Sequence, residues 1–312
     1  MKTAFLFPGQ GSQYIGMGKE LYDNFIEARD IYETVNNALN KKLTKIVFNG
    51  TRQDLQITSN TQPAIMATSI AILKILTLLS NKSIKELCTV AAGHSLGEYS
   101  ALCAAKSLSL SSTARILNIR GHAMQQSVSD SKGEMYALIG GSKDTINSIC
   151  SILSTNGVCE VANDNSKGQV ILSGNKESFQ EIHHVIKNFN IKKAIKLPVN
   201  IPFHCSLMGK ASTTMQKELQ HFNFAKPEID VISNYSTNIY SSNDDIKTSL
   251  INQIKGKVRW RESIEIMYNQ YKIKKFVEIG PNKILSNLLK RDYSDIEVHN
   301  LERIIDIENF LR

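Results

Sequence analysis

The chain alternates short runs of consecutive apolar residues with longer stretches in which apolar positions recur every three or four residues. The run at residues 3–7 has no polar face and stops at Pro8-Gly9, which predicts a strand buried on both sides. Residues 89–92 repeat the pattern just before Gly93. Helical spacing occupies roughly 18–39 and 63–79, the second stretch opening with Pro63 at a first helical position. It returns from Leu96 through Tyr99, Ala101, Leu102, Ala104 and Ala105, and again over 111–126. The final third predicts a strand near 230–233 and a helix over 244–254. A second helix follows Gly256-Lys257-Val258-Arg259-Trp260, and a strand at 276–279 turns at Gly280-Pro281 into a helix over 283–290. The Asn-rich residues 234–243 read as a mobile surface loop. Strands and helices alternating in this way predict an α/β layered body with a parallel sheet.

Between these two parts the texture changes. A strand at 135–139, a helix at 143–153, strands at 158–162 and 169–173, a helix at 176–189 and a strand at 193–197 follow in turn. That βαββαβ order predicts a ferredoxin-like unit, long enough to bury a small core of its own. We therefore expect residues 1–126 and 198–312 to form one body and 127–197 to form a subdomain inserted into it. The cleft between them is the expected ligand site.

Composition adds boundaries. With 312 residues, 42% of them hydrophobic, the chain has ample material for a core. The formal charge of +8 suits an anionic ligand or an acidic partner, although the lysines are scattered in ones and twos. No zinc-finger spacing, RNP motif or dense basic stripe supports nucleic-acid binding. Cys88, Cys103, Cys150, Cys159 and Cys205 form no C-x-x-C pair and read as reduced thiols of a cytosolic, hence cytoplasmic, protein. The N-terminal apolar run breaks at Pro8, too early for a signal peptide, and the most apolar helix carries Lys74. Neither export nor a membrane span is expected.

The candidate chemistry centres on Gly93-His94-Ser95-Leu96-Gly97. A bare G-x-S-x-G arises by chance in roughly one chain of this length in ten, so its context decides. Here a strand precedes it and a helix follows, which puts Ser95 on a sharp strand-to-helix turn with Oγ exposed and the Leu96 N–H placed to stabilise an oxyanion. Pro8-Gly9-Gln10-Gly11-Ser12-Gln13 is either a simple turn or a loop whose amides Gln10 and Gln13 hold a substrate carbonyl. Arg120 is either a solvated or ion-paired surface residue or, if it faces the serine, a clamp for a carboxylate. His204, fixed behind Pro202, is open to a structural or a catalytic role.

These segments, together with Ala162-Asn163-Asp164-Asn165, Gly168-Gln169-Val170, Pro202-Phe203-His204-Cys205 and Glu278-Ile279-Gly280-Pro281, resemble in order and spacing the malonyl-CoA:acyl-carrier-protein transacylases. The resemblance covers nearly the whole chain. It implies an α/β-hydrolase-like body with a ferredoxin-like insert, a Ser95 nucleophile, His204 as its base, and Gln10 and the Leu96 N–H as oxyanion hole. Arg120 would hold the malonyl carboxylate, with Met124, Met135, Phe203 and Asn163 around the substrate. It further implies malonyl-CoA and holo acyl carrier protein as partners, and no metal or redox cofactor. In this family a backbone carbonyl orients the histidine, from a loop where Asn-Pro is common; Gly256-Lys257 stands there, so the Gly256 carbonyl is expected to serve. Lys132 and Glu134 are bulkier than the residues the family often has ahead of Met135, so the pocket edge is expected to differ. A trans-acting acyltransferase of a polyketide synthase would share every motif. A serine esterase or thioesterase would share the elbow but usually adds an acidic triad member and needs no arginine.

Overall fold

The computed structural model describes residues 2–128 and 133–312; Lys132, expected at the pocket edge, lies outside them. Among the described residues, nine strands form two separate sheets. The first contains β1 (Thr3–Phe7), β2 (Val90–Gly93), β7 (Asp230–Val231), β8 (Lys275–Ile279) and β9 (Glu297–Leu301) in the order β7-β2-β1-β8-β9. All its pairings are parallel. Strands β1 and β2 are wholly buried, as their unbroken apolar runs require when helices cover both faces. The short edge strand β9 is half-exposed and lacks that signature, which is why its sequence does not announce it.

The second sheet is antiparallel and contains β3 (Gly133–Gly140), β4 (Cys159–Ser166), β5 (Gln169–Asn175) and β6 (Ile191–Lys196) in the order β4-β5-β3-β6. Between β3 and β4 runs the helix Lys143–Leu153. The single helix expected over 176–189 is instead three short turns, Glu177–Phe179, Ile182–Val185 and Ile186–Asn188, the outer two being 3₁₀. Phe179, Ile182 and Val185 all enter the core of this sheet, and their spacing of three favours a tighter winding than 3.6 residues per turn.

The helix Thr58–Ser80 runs through the core of the larger part. It is long and apolar enough to cross a bilayer, but residues 58–73 are buried inside the protein, against the helices Ile26–Leu39 and Leu110–Gln126 among others. It starts five residues before Pro63, not at it. Pro63 cannot donate to the Ser59 carbonyl, and Asn118 Nδ2 takes that place at 3.0 Å, so the proline is tolerated inside the helix. Likewise the helix expected over 18–39 breaks at Phe25, whose extended backbone separates Lys19–Asn24 from Ile26–Leu39. All five cysteines are free thiols.

Most of residues 234–243 lies at the surface, as their composition suggests, but two of them turn inward. Asn234 is fully buried and Tyr240 is 4% exposed, because both reach buried polar groups near Ser95 rather than water.

The Pro63–Asn118 arrangement makes a stability prediction. Asn118→Ala leaves the buried Ser59 carbonyl unpaired and should cost about 1–3 kcal/mol. In a Pro63→Ala background the restored amide can bond Ser59, so the same substitution should cost clearly less. Urea midpoints of the four variants test this, and equal costs in both backgrounds would contradict it.

Candidate active site

Ser95 follows β2 and precedes the helix Gly97–Ala104, with φ of +54°. A non-glycine residue held in that region costs of order 1–3 kcal/mol, so its surroundings must impose it. A Cβ on Gly93 would lie 1.8 Å from the Gly97 backbone, and one on Gly97 would lie 2.2 Å from Phe7 O. Only glycine at both positions lets the chain reverse this tightly. Asn234 braces the turn: its Oδ1 accepts the Ser95 N–H at 2.7 Å and its Nδ2 donates to Gly93 O at 2.8 Å.

Ser95 Oγ lies 2.7 Å from His204 Nε2, and His204 Nδ1 lies 2.8 Å from Gln253 O. A carbonyl only accepts, so the ring proton is on Nδ1 and Nε2 offers its lone pair to the serine hydroxyl. Burial, reinforced by the Arg120 charge, pushes the His204 pKa down to about 3. The imidazole is therefore neutral at neutral pH, the form that can take a proton.

The carbonyl bonded to His204 belongs to Gln253, not to Gly256 as the family resemblance implied; Gly256 O is a lesser influence on the ring. Gln253 lies in the last turn of the helix Asn243–Lys255, where carbonyls have no intrahelical donor, so its C=O is available to the imidazole. Nothing in the sequence singled out Gln253. The one signal is that a glutamine occupies the apolar face set by Ile246, Leu250 and Ile254.

Arg120 reaches the same point from the helix Leu110–Gln126 and is 1% exposed. A Cβ on the adjacent Gly121 would meet Ser59 Cα at 2.5 Å, so glycine there lets the two helices touch. Arg120 Nη1 donates to Gln62 Oε1 at 2.9 Å, and Nη2 donates to Gln253 Oε1 at 2.8 Å and to Ser95 Oγ at 3.1 Å. These partners are two amides and the hydroxyl, not a carboxylate. Its Nε has no hydrogen-bond partner among the described residues.

The three groups open into a cavity of about 960 Å³ at the C-terminal ends of β1 and β2, walled on the far side by the second sheet. Gln10, Leu96, Met135, Asn163 and Phe203 line it. Gln13 also lines it and braces its own loop, its Oε1 accepting the Gly11 N–H at 2.8 Å. Met124, expected at the substrate, is not on the wall. Its Sδ accepts from Gln62 Nε2 at 3.8 Å, beneath the amide that holds Arg120. The sheets are locked across the cavity by His94 Nε2 to Asn165 Oδ1 at 2.8 Å and by a bidentate Arg261–Asp164 pair at 3.0 and 2.9 Å.

A neutral ester places no charge beside the nucleophile, so a hydrolase of such esters has no use for a buried cation there. An acyltransferase that carries an anionic acyl group does, and that is the class this fold and site define. Residues 4–305 match the acyl transferase domain family. Over 291 residues, 93% of this chain and 90% of the relative, the sequence is 37% identical to the malonyl CoA-acyl carrier protein transacylase of Bacillus subtilis. The crystal structure of acyl-carrier-protein-S-malonyltransferase from Bartonella henselae superposes with a TM-score of 0.96 at 41% identity, covering 100% of this chain and 99% of that one. A malonyl-transacylase in complex with its type II PKS acyl-carrier protein superposes at 0.95 with 31% identity, over 100% of this chain and 99% of that one. The chain belongs to the malonyl CoA-acyl carrier protein transacylase family.

The Ser95–His204 contact can be probed without any acyl donor. A serine-reactive fluorophosphonate should add once to the wild-type chain and not to Ser95→Ala, and His204→Ala should slow the addition by about 10²–10⁴-fold. Intact-mass spectrometry follows both, and labelling of Ser95→Ala at the wild-type rate would place the nucleophile elsewhere.

Proposed function

We propose that this enzyme moves the malonyl group of malonyl-CoA to the phosphopantetheine thiol of holo acyl carrier protein, supplying extender units for fatty-acid synthesis. Ser95 Oγ attacks the thioester carbonyl while His204 Nε2 takes its proton, and the departing CoA thiolate takes the proton back. The thiol of the carrier then attacks the malonyl-serine ester in a second half-reaction of the same form. Gln10 and the Leu96 N–H hold the oxyanion, where one lost donor typically costs about 3–4 kcal/mol of transition-state stabilisation. Arg120 binds the malonyl carboxylate, and Met135, Phe203 and Asn163 form the wall beside it.

The observation that carries this reading is Arg120: a buried guanidinium 3.1 Å from the nucleophile, hydrogen-bonded to amides and with Nε still unpartnered. A carboxylate delivered by the acyl group supplies a directly paired charge and the acceptor that Nε lacks. In the organisation we propose, residues 1–126 and 198–312 form an α/β-hydrolase-like body, and 127–197 form a ferredoxin-like insert that closes the cavity. Free cysteines support a cytoplasmic location. Likeness to a transacylase bound to a type II PKS carrier supports a second reading, in which the same chemistry serves polyketide synthesis.

Mixing the protein with malonyl-, methylmalonyl- and acetyl-CoA should give a malonyl adduct on Ser95, absent in Ser95→Ala. Arg120→Ala should lower the malonyl-to-acetyl loading ratio by about 30-fold or more, equivalent to about 2 kcal/mol for a truncated buried charge pair. Equal loss of both acyl groups would remove the clamp role.

A further inference from the structure

One buried acid takes no direct part in this chemistry. Glu98 lies in the first turn of the helix that follows Ser95 and is fully buried. Its Oε1 accepts from the Asn234 N–H at 3.1 Å and from Tyr240 Oη, and its Oε2 accepts from Gln253 Nε2. The two amide residues it touches are those that hold the reacting groups. Gln253 bonds His204 through its carbonyl, Arg120 through Oε1 and the Ser95 carbonyl through Nε2 at 2.9 Å. Asn234 bonds the Ser95 N–H.

We propose that Glu98 is a positioning residue for acyl transfer: its carboxylate, through Gln253 and Asn234, keeps base, guanidinium and nucleophile in one arrangement. The proposal rests on the acyl-transfer reading of Ser95 and His204. Three donors face the carboxyl group, two of them N–H groups that cannot accept, so the ionised, acceptor-only form satisfies all three at once. Protonation weakens the carboxyl group as an acceptor, and a proton on Oε2 would confront Gln253 Nε2, so the hold on Gln253 or Asn234 would slip.

Burial works against that anion and pushes the Glu98 pKa up to about 7, the hydrogen bonds from Tyr240, Gln253 and Asn234 and the Arg120 charge opposing it. The titratable groups facing it keep one form through this range. Burial raises Tyr240 well above the ordinary phenol range and Tyr99 to about 12, and Arg120 remains protonated at these pH values. The arrangement is thus intact above pH 7 and loosens as pH falls through it. His204, titrating near 3, cannot produce an acid limb there.

The test is the rate of malonyl loading and transfer between pH 5.5 and 9 for wild type, Glu98→Gln, Glu98→Asp and Tyr240→Phe. In the wild type kcat should fall about tenfold per unit below pH 7. Glu98→Gln should lower kcat by about 10²-fold at pH 8, as a displacement of order 1 Å does, and should lack that limb. Glu98→Asp should recover part of the rate, and Tyr240→Phe, which removes a bond to the anion, should move the limb to higher pH. A limb at its wild-type position in Glu98→Gln, or wild-type kcat in that variant, overturns the proposal. If Glu98→Gln loses its near-UV circular dichroism, an unmoved limb in Tyr240→Phe overturns it instead. Should the wild type fail to load malonyl at all, the acyl-group assignment fails. The pH dependence of fluorophosphonate labelling at Ser95 then decides the role of Glu98 by the same criteria.

Discussion

Ser95, His204 and Arg120 all meet at one helix-terminal glutamine. Gln253 bonds three different elements at once: its carbonyl reaches His204 from the segment after the second sheet, its Oε1 reaches Arg120, and its Nε2 reaches the serine turn. None of the three reaches the others through local structure. A buried amide has few hydrogen-bonding sites, and leaving any of them empty is costly, so the contacts fix one another. The result is a constellation preset to within a hydrogen bond, the kind of order that lets a serine react without reorganising its surroundings.

Charge is arranged on the same principle. Arg120 is taken out of water without a hydrogen-bonded carboxylate, its guanidinium lying over the Tyr99 ring and its N–H groups given to amides. A buried cation with no carboxylate in direct contact costs stability, and substrate binding relieves that cost when the ligand brings an anion. The same field helps keep His204 neutral, alongside burial. One guanidinium thus borders the nucleophile and adds to the effect of burial on the base.

The cavity owes its shape to two sheets of different kind. The parallel sheet presents strand ends and helix N-termini, where β1 and β2 deliver the Gln10 loop and Ser95. The antiparallel sheet supplies Met135 and Asn163 as the opposite wall and is pinned by Arg261–Asp164 and His94–Asn165. Those pins keep the wall at a fixed distance from the serine turn.

From the sequence alone, the elements with strong local signals were legible. The apolar runs of β1 and β2, the glycine-serine turn between β2 and its helix, and the βαββαβ order all follow from spacing and sterics acting over a few residues. Ordered motifs also identified Ser95, His204 and Arg120 as candidates. Tertiary structure decided what those residues do to one another. It chose Gln253 over Gly256 for the imidazole, drew Asn234 and Tyr240 from an apparent loop into the core, and set Met124 behind Gln62 rather than on the cavity wall. The reason is physical: a hydrogen bond across about 150 residues leaves no periodicity in the chain, and a buried polar group is marked only by the partner that folding brings to it.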